Sequence, residues 1–512
     1  MRAFWHQNKK WLIPVLLFIF AFSLRLYFLY PGFFHHDVAQ SGKIIEEAVF
    51  DKGASRLGSN VFFSNRIFYL FVNYLFFLTY SFFGGEHIDI LMNVSSALFA
   101  ALACILMYYF VLELTEKKHV ALFSSLFLAV TPIFLSDSTY GKEHALQIFV
   151  MLSGLYLLLR ALREEKKSLF FLAGIVTGLF LITREDSFLF LPLFAYILFF
   201  LKKKGSNISN VSYEHLLFFS VPILFIFAWY LYFTLWDRLL VVLFQKEETA
   251  GVWLGFFSYI FPDALYDLLV TLTPLLCALA IYGMYRMYLT EKKLFGFLSI
   301  WIAYLLYFGN NDIYAPRWLS ILLPPFLIAG AYGIGALSDY EKKGEKWIKK
   351  IVVPVVFVTL IWMFLTIYPV LNARADHALT KEYAQAIDTL APSGAHLFFY
   401  ADACTIITYY SPKISCSGNS NTQEVKREIK EKIEQGVPIY FTPHRAKLRK
   451  DLDFAKELSA LYNSTLIMTR DYEDYHKATL TSVRFEAPLF LIQRSLKLEN
   501  DTNNRTKWSF ST

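Results

Sequence analysis

Residues 67–83 read Ile67-Phe68-Tyr69-Leu70-Phe71-Val72-Asn73-Tyr74-Leu75-Phe76-Phe77-Leu78-Thr79-Tyr80-Ser81-Phe82-Phe83, a run with no charged residue. A helix of this length is just able to cross a hydrocarbon core of about 30 Å. Whether it crosses decides the sidedness of everything that follows. Eleven other apolar runs have spanning length: Leu12–Tyr30, Ile88–Leu112, Ala121–Leu135, Ala145–Leu159, Leu169–Ile182, Phe188–Leu201, Leu216–Leu235, Leu268–Met287, Leu294–Phe308, Trp318–Leu337 and Ile351–Tyr368. Basic clusters lie between them at Lys9/Lys10, Lys117/Lys118, Lys166/Lys167, Lys202–Lys204, Lys292/Lys293 and Lys342–Lys350. If Ile67–Phe83 does not cross, all of these clusters fall on one side, and basic loops mark the cytoplasm. If it crosses, Lys9/Lys10 is separated from the rest. The run is therefore expected to be an interfacial or re-entrant helix in the first external loop, tolerated where protein covers it.

The expected fold class is mainly α: a polytopic membrane protein of about eleven spans with a cytoplasmic N-terminus. Composition agrees, with 56% hydrophobic and 18% charged residues against about 45–50% and about 25% in soluble proteins. The net charge of +7 sits mostly in the loop clusters, so it reports orientation and excludes nucleic-acid binding. The basic start leads into the first run without a cleavage pattern, as a retained helix does.

Three segments are expected. Residues 1–370 form the membrane domain. Residues 371–498 form a soluble external α/β domain, with helices at Lys381–Leu390 and Thr422–Gln435 and strands at His396–Tyr400, Pro438–Thr442 and Pro488–Gln493. Residues 499–512 form a polar, disordered tail. Cys104 and Cys277 lie in apolar runs, whereas Cys404 and Cys416 are able to pair if their domain is extracytoplasmic.

Ionisable residues recur in the external loops as isolated groups among aromatic neighbours. The first loop opens Tyr30-Pro31-Gly32-Phe33-Phe34-His35-His36-Asp37, and the second reads Ser136-Asp137-Ser138-Thr139-Tyr140-Gly141-Lys142-Glu143-His144. Later ones are Thr183-Arg184-Glu185-Asp186 and Asn310-Asn311-Asp312-Ile313-Tyr314-Ala315-Pro316-Arg317. Four features in this order resemble the GT-C glycosyltransferases, and within them the branch of protein O-mannosyltransferases and the lipid A aminoarabinose transferase. They are Pro31-Gly32 followed by Asp37, the short loop Tyr140-Gly141-Lys142-Glu143, the Gly-rich helix from Gly174 to Arg184, and Pro316-Arg317-Trp318 leading to Leu323-Pro324-Pro325. The resemblance covers about Trp11 to Leu337, and the family's juxtamembrane helices match the run at Ile67–Phe83. One departure is that the family usually carries two acids in the first loop, where this chain has His36-Asp37.

The resemblance implies sugar transfer from a polyprenyl-phosphate carrier to a glycan, lipid or protein acceptor on the external face, among membrane lipid. Such transfer needs a base at the acceptor and positive charge for the departing phosphate. Asp37 is the candidate base, partly desolvated and so expected to have a raised proton affinity. One base and one displacement predict inversion. Arg66, Lys142, Glu143, Arg184 and Arg317 are candidates for binding the donor phosphate or substrate, with His36 and Asp137 as further candidates. Plainer readings stand beside these: Asp37 as a helix cap, Lys142 and Glu143 as an interfacial pair, Arg184 as neutralised by its acidic neighbours, Arg317 as snorkelling to headgroups, and Arg66 as an ordinary basic residue at the start of an interfacial helix. No cofactor is firmly implied. A divalent ion would need Asp37 and one histidine, completed by Asp137 or Glu143, and adjacent histidines are expected to diverge. The rival functions are a polymerase or ligase of lipid-linked glycans and a transporter. Transporters place ionisable groups mid-helix, whereas here Arg25, Asp89 and Arg286 lie toward span ends.

Overall fold

The computed structural model describes residues 2–50, 66–201, 212–234, 260–309, 316–339, 347–376, 379–399, 401–417, 422–442, 458, 462–475 and 482–493. The polar tail and the loop residues 310–315 lie outside them. The chain divides into two compact units: Met1–Ala378 with Tyr475–Ser482, and Leu379–Asp474 with Val483–Thr512.

The first unit is helical. Its elements are α1 (Arg2–Tyr27), α2 (His36–Phe50), α3 (Ile67–Phe82), α4 (Ile88–Thr115), α5 (Lys118–Val130), α6 (Pro132–Asp137), α7 (His144–Glu164), α8 (Lys167–Leu181) and α9 (Leu191–Phe200). They continue with α10 (Tyr213–Thr234), α11 (Ile260–Thr290), α12 (Lys292–Gly309), α13 (Leu323–Asp339) and α14 (Trp347–Asp376). Among the described residues, six helices are long and apolar enough to cross a membrane, and five shorter apolar ones include Ile67–Phe82. Large apolar side chains such as Phe225 and Ile281 are exposed, as the lipid-facing side of a membrane bundle requires.

Every predicted span is helical, but prolines re-cut several. The run expected over Ala121–Leu135 stops at Val130, and a separate short helix starts at Pro132. Proline disfavours the α region at the residue before it, and Thr131 sits at φ −58, ψ 125. Helix α11 is likewise interrupted at Thr273 (φ 65, ψ 148), just before Pro274. The expected span from Trp318 opens as a 3₁₀ segment, Pro316–Leu322, before α13. Between α1 and α4 lie two helices, α2 and α3, where one was expected. α2 buries Val38, Ala39 and Ile45, and it packs on α3, with Phe50 edge-on to Phe77.

Helix α4 is central, packing against α1, α5 and α7. Between α11 and α13 the backbones nearly touch: a Cβ on Gly333 would lie 2.3 Å from the Leu279 carbonyl oxygen. Only a residue without a side chain fits there.

The second unit is α/β. α15 (Leu379–Leu390), α16 (Ala401–Tyr410) and α17 (Thr422–Glu434) accompany β1 (His396–Phe398), β2 (Ser415–Ser417), β3 (Ile439–Phe441), β4 (Asn463–Tyr475) and β5 (Ser482–Gln493). The strand order is β2-β1-β3-β5-β4, with β1 parallel to β2 and β3, and β3 antiparallel to β5. Alternation along β1 sends Leu397 to a core with Tyr383 and Ile407, and Phe398 to a core with Val425 and Ile429. Helix α16 and strands β2 and β4 add to the predicted elements. Cys404 on α16 and Cys416 on β2 form a disulfide, with Cα atoms 5.3 Å apart.

Candidate active site

Two loops of the first unit meet beside the start of α3. The Pro31-Gly32 break ends α1, and the chain turns into α2 with Asp37 in its first turn. The second loop runs from α6 to α7 and carries Lys142 and Glu143, both 1% exposed. Arg66 stands immediately before α3.

Asp37 is the centre. Its Oδ2 accepts from Lys142 Nζ at 2.7 Å and from both terminal nitrogens of Arg66 at 3.2 Å. Its Oδ1 lies 2.9 Å from His36 Nε2. The Asp37 backbone N–H donates to His35 Nδ1 at 3.2 Å. Arg66 also reaches Glu143, Nε to Oε1 at 3.4 Å, and Arg184 reaches the same Oε1 at 3.5 Å. Arg184 Nε lies 3.1 Å from Asp186 Oδ2, and its Nη1 donates to the His144 ring at 2.8 Å. Gln147, one turn into α7, donates to Asp186 Oδ1 at 2.7 Å and to Ser187 Oγ.

The structure thus brings Asp37, His36, Arg66, Lys142, Glu143 and Arg184 into one chain of contacts, which Asp186 extends to three cations interleaved with three carboxylates. Asp137 is not in it. Its Oδ1 accepts from Tyr140 OH at 3.0 Å and its Oδ2 from Ser320 Oγ at 2.8 Å. Arg317 opens the 3₁₀ segment Pro316–Leu322, and its side chain lies outside the described residues. Tyr69, Asn93, Gln147 and Asp186 belong to the site and went unpredicted. Tyr69 OH donates to the Gly141 carbonyl. Gln147 was findable, standing one helical turn from Glu143 on the same face.

The electrostatics correct one expectation. Burial alone would raise the proton affinity of Asp37, but the charge of Lys142, the His36 hydrogen bond, His35 and Arg66 together hold its carboxyl well below the usual range. Neighbouring opposite charge outweighs desolvation here. Glu143 behaves alike: burial pushes it up, and Arg66, Lys142, His144 and Arg184 hold it well below. No protein donor among the described residues reaches Glu143 Oε2, although that atom is buried.

The residues do not fit a resident divalent ion. His35, His36 and Asp37 bring ligand atoms within 4.8 Å of one another. The two rings do not diverge as expected but stack, with centroids 4.3 Å apart, because His35 precedes the helix and His36 begins it. Yet His35 Nδ1 is taken by the Asp37 N–H, and Asp37 Oδ2 by two cations whose charge opposes a dication at this range. Asp137 is committed elsewhere, and Glu143 is bound to arginines.

Residues 70–233 match the family described as dolichyl-phosphate-mannose-protein mannosyltransferase. The fold matches the archaeal oligosaccharyltransferase AglB from Archaeoglobus fulgidus, solved with an inhibitory peptide and a dolichol-phosphate. That match has a TM-score of 0.60 at 12% identity, over 98% of this chain and 75% of that one. It also matches ArnT from Cupriavidus metallidurans bound to undecaprenyl phosphate, at TM-score 0.58 and 12% identity, over 94% of this chain and 98% of that one. The chain shares its fold with these GT-C glycosyltransferases. No curated protein matches it by sequence. The family match runs from within α3 into α10 and so includes the second loop, whereas Asp37 and Arg66 lie before it.

Proposed function

We propose that this protein transfers a sugar from a polyprenyl-phosphate-linked donor to an acceptor hydroxyl at the external membrane surface, with inversion. The observation that carries the reading is the Asp37 carboxylate set among Lys142, Arg66 and His36 at 2.7–3.2 Å. The acceptor oxygen attacks the anomeric carbon, the bond to the carrier phosphate breaks, and the phosphate leaves with the electron pair. The acceptor proton passes to Asp37. Lys142, Arg66 and Arg184 stabilise the leaving phosphate, and Arg317 adds to them from the 3₁₀ segment. Glu143 aligns the two arginines and has one oxygen left to accept from a sugar hydroxyl. His36 orients Asp37, and Asp137 fixes the second loop by way of Tyr140 and Ser320.

The topology that goes with this has eleven spans, the N-terminus inside and residues 379–493 outside. The disulfide Cys404–Cys416 supports an oxidising compartment for the second unit. Reporter fusions at Gly85 and Lys118 test the threading: outside and inside are required, and an external Lys118 would mean that Ile67–Phe82 crosses. For the chemistry, purified protein is supplied with a panel of polyprenyl-phosphate sugars and release of the carrier phosphate is followed. Wild type turns over at least one donor and Asp37→Asn loses turnover; normal turnover by the variant refutes the assignment of the base.

A further inference from the structure

Asp37 and Lys142 come from different loops, and the helix pairs that hold those loops do not themselves dictate a 2.7 Å contact. One side chain ties the loops together. Asn93, in the second turn of α4, is fully buried. Its Nδ2 donates to the Tyr30 carbonyl at 2.7 Å and to the Gly32 carbonyl at 2.8 Å, both in the first loop. Its Oδ1 accepts from the Gly141 N–H at 2.5 Å, in the second. The amide orientation is chemically fixed, since reversing it would set an oxygen against two carbonyl oxygens and an NH₂ against an N–H.

We infer that Asn93 is the positioning residue of the site: its single carboxamide sets the spacing between the loop carrying Asp37 and the loop carrying Lys142 and Glu143. The contacts around it point the same way. Gly141 directly precedes Lys142, and a Cβ there would come within 2.9 Å of Met92 Cβ and 3.1 Å of Asn93 Oδ1, so the second loop is seated flush on α4. Ser96, one turn further along, donates to the Lys142 carbonyl at 3.2 Å. Tyr30 N–H donates to Thr139 O at 3.0 Å, a direct backbone bond between the loops that Asn93 supplements with three. No other side-chain type supplies two donors and one acceptor at this length. Leucine matches the shape and makes none of the bonds. Aspartate keeps the acceptor for Gly141 but turns a carboxylate oxygen on two carbonyls, leaving buried groups unsatisfied.

The inference rests on the proposed sugar transfer for its functional half, and the experiment separates the two. Structures of the full-length protein are determined for wild type and Asn93→Leu, and turnover is measured for both and for Asn93→Asp. In Asn93→Leu the Asp37–Lys142 contact is expected to open, and turnover to fall roughly a hundredfold, the cost of about 1 Å of misplacement. Asn93→Asp is expected to recover relative to wild type as pH falls from about 8 to about 5.5, because a protonated buried carboxyl donates again; Asn93→Leu is not. Asn73→Leu is the control for general weakening. It removes a comparably buried carboxamide that bonds Tyr69 O and Ser95 Oγ, and it is expected to lower the melting temperature without the turnover loss. An Asn93→Leu structure that keeps Lys142 against Asp37, or a turnover loss in Asn73→Leu as large as in Asn93→Leu, overturns the inference. An opened contact with unchanged turnover upholds the positioning role and overturns the assignment of Asp37 as base.

Discussion

Replacing Lys142 with methionine removes one charge from the site and little volume, and the consequence is readable as a pH profile. The ammonium lies 2.7 Å from Asp37 Oδ2 and is itself fully buried. At an effective dielectric of about 20, a unit charge at that distance favours the ionised carboxylate by roughly 6 kcal/mol. Arg66 and His36 remain, and water entering the vacated space weakens the field. Half of that figure, about 3 kcal/mol, still changes proton affinity by roughly a hundredfold. The direction is fixed. Losing a cation makes protonation easier, so the neutral, inactive form of Asp37 appears at higher pH than before. In wild type the Asp37 carboxyl is held well below the usual range, and kcat/KM has no acid limb from this group between about pH 5 and 9. In Lys142→Met the acid limb moves up by roughly two pH units toward that interval, and in Lys142→Arg, which keeps the charge, it does not move. The assay is release of carrier phosphate across the pH range. A Lys142→Met profile with reduced height and unchanged shape would refute the reasoning, because the ammonium would then not be governing the Asp37 charge.

Breaking the Cys404–Cys416 bridge, which spans a sequence separation of 12, costs the second unit about 3 kcal/mol by the loop-entropy relation; chemical denaturation of Cys404→Ser with Cys416→Ser measures it, and an unchanged midpoint counts against the bridge. Burial, and after it the charge of Lys432, hold the His396 imidazole down to about 4 from 6.5. The unfolded chain then binds the extra proton first, so stability is complete above about pH 6.5 and falls by up to about 3 kcal/mol as pH drops toward 4; melting curves for wild type and His396→Asn diverge in that window, and parallel curves reject the account. Gly333→Val drives a side chain into the Leu279 carbonyl, an overpacking cost of about 3 kcal/mol or more, read as lost monodisperse protein in size-exclusion chromatography. If the donor phosphate must draw cations from Asp37 before an acceptor is activated, binding is ordered with donor first. A dead-end acceptor analogue is then uncompetitive against donor, and a non-competitive pattern rejects the order.

Much of the first unit was legible because its signals are chemical and local. Apolar length marked the helices, and Pro31-Gly32 marked the first break. The loop residues Asp37, Arg66, Lys142, Glu143 and Arg184 stood out because charge is costly near a membrane unless it is used. Three things were not legible. Pro132 lay inside an apolar run, and apolar length alone does not register that the run is two helices. The proton affinity of Asp37 depends on Lys142, 105 positions away, so a reading limited to its neighbours took the desolvation contribution and missed the opposing charges that together outweigh it. Asn93 looks in sequence like a lone polar residue in a span, and its meaning lies in two loops that converge on it from opposite sides in sequence. In the second unit, long amphipathic patterns gave α15 and α17, while the three-residue strand β2 is too short for any periodicity.

The cations around Asp37 are wrong for a base and right for a phosphate site, and the proposed reaction needs both. A carboxylate held by Lys142 and Arg66 has little tendency to take a proton from an acceptor hydroxyl or from water. The same two side chains are the natural partners of an incoming phosphate, whose several oxygens compete for them better than one carboxylate does. As they turn toward the donor, the charge holding Asp37 ionised falls and the burial that raises its proton affinity remains. Basicity then appears only when a sugar is in place to be attacked. Such an arrangement spares the donor from idle hydrolysis without a lid or a metal. It asks only that Asp37 and Lys142 be close enough to trade partners, which returns the burden to the spacing that Asn93 sets.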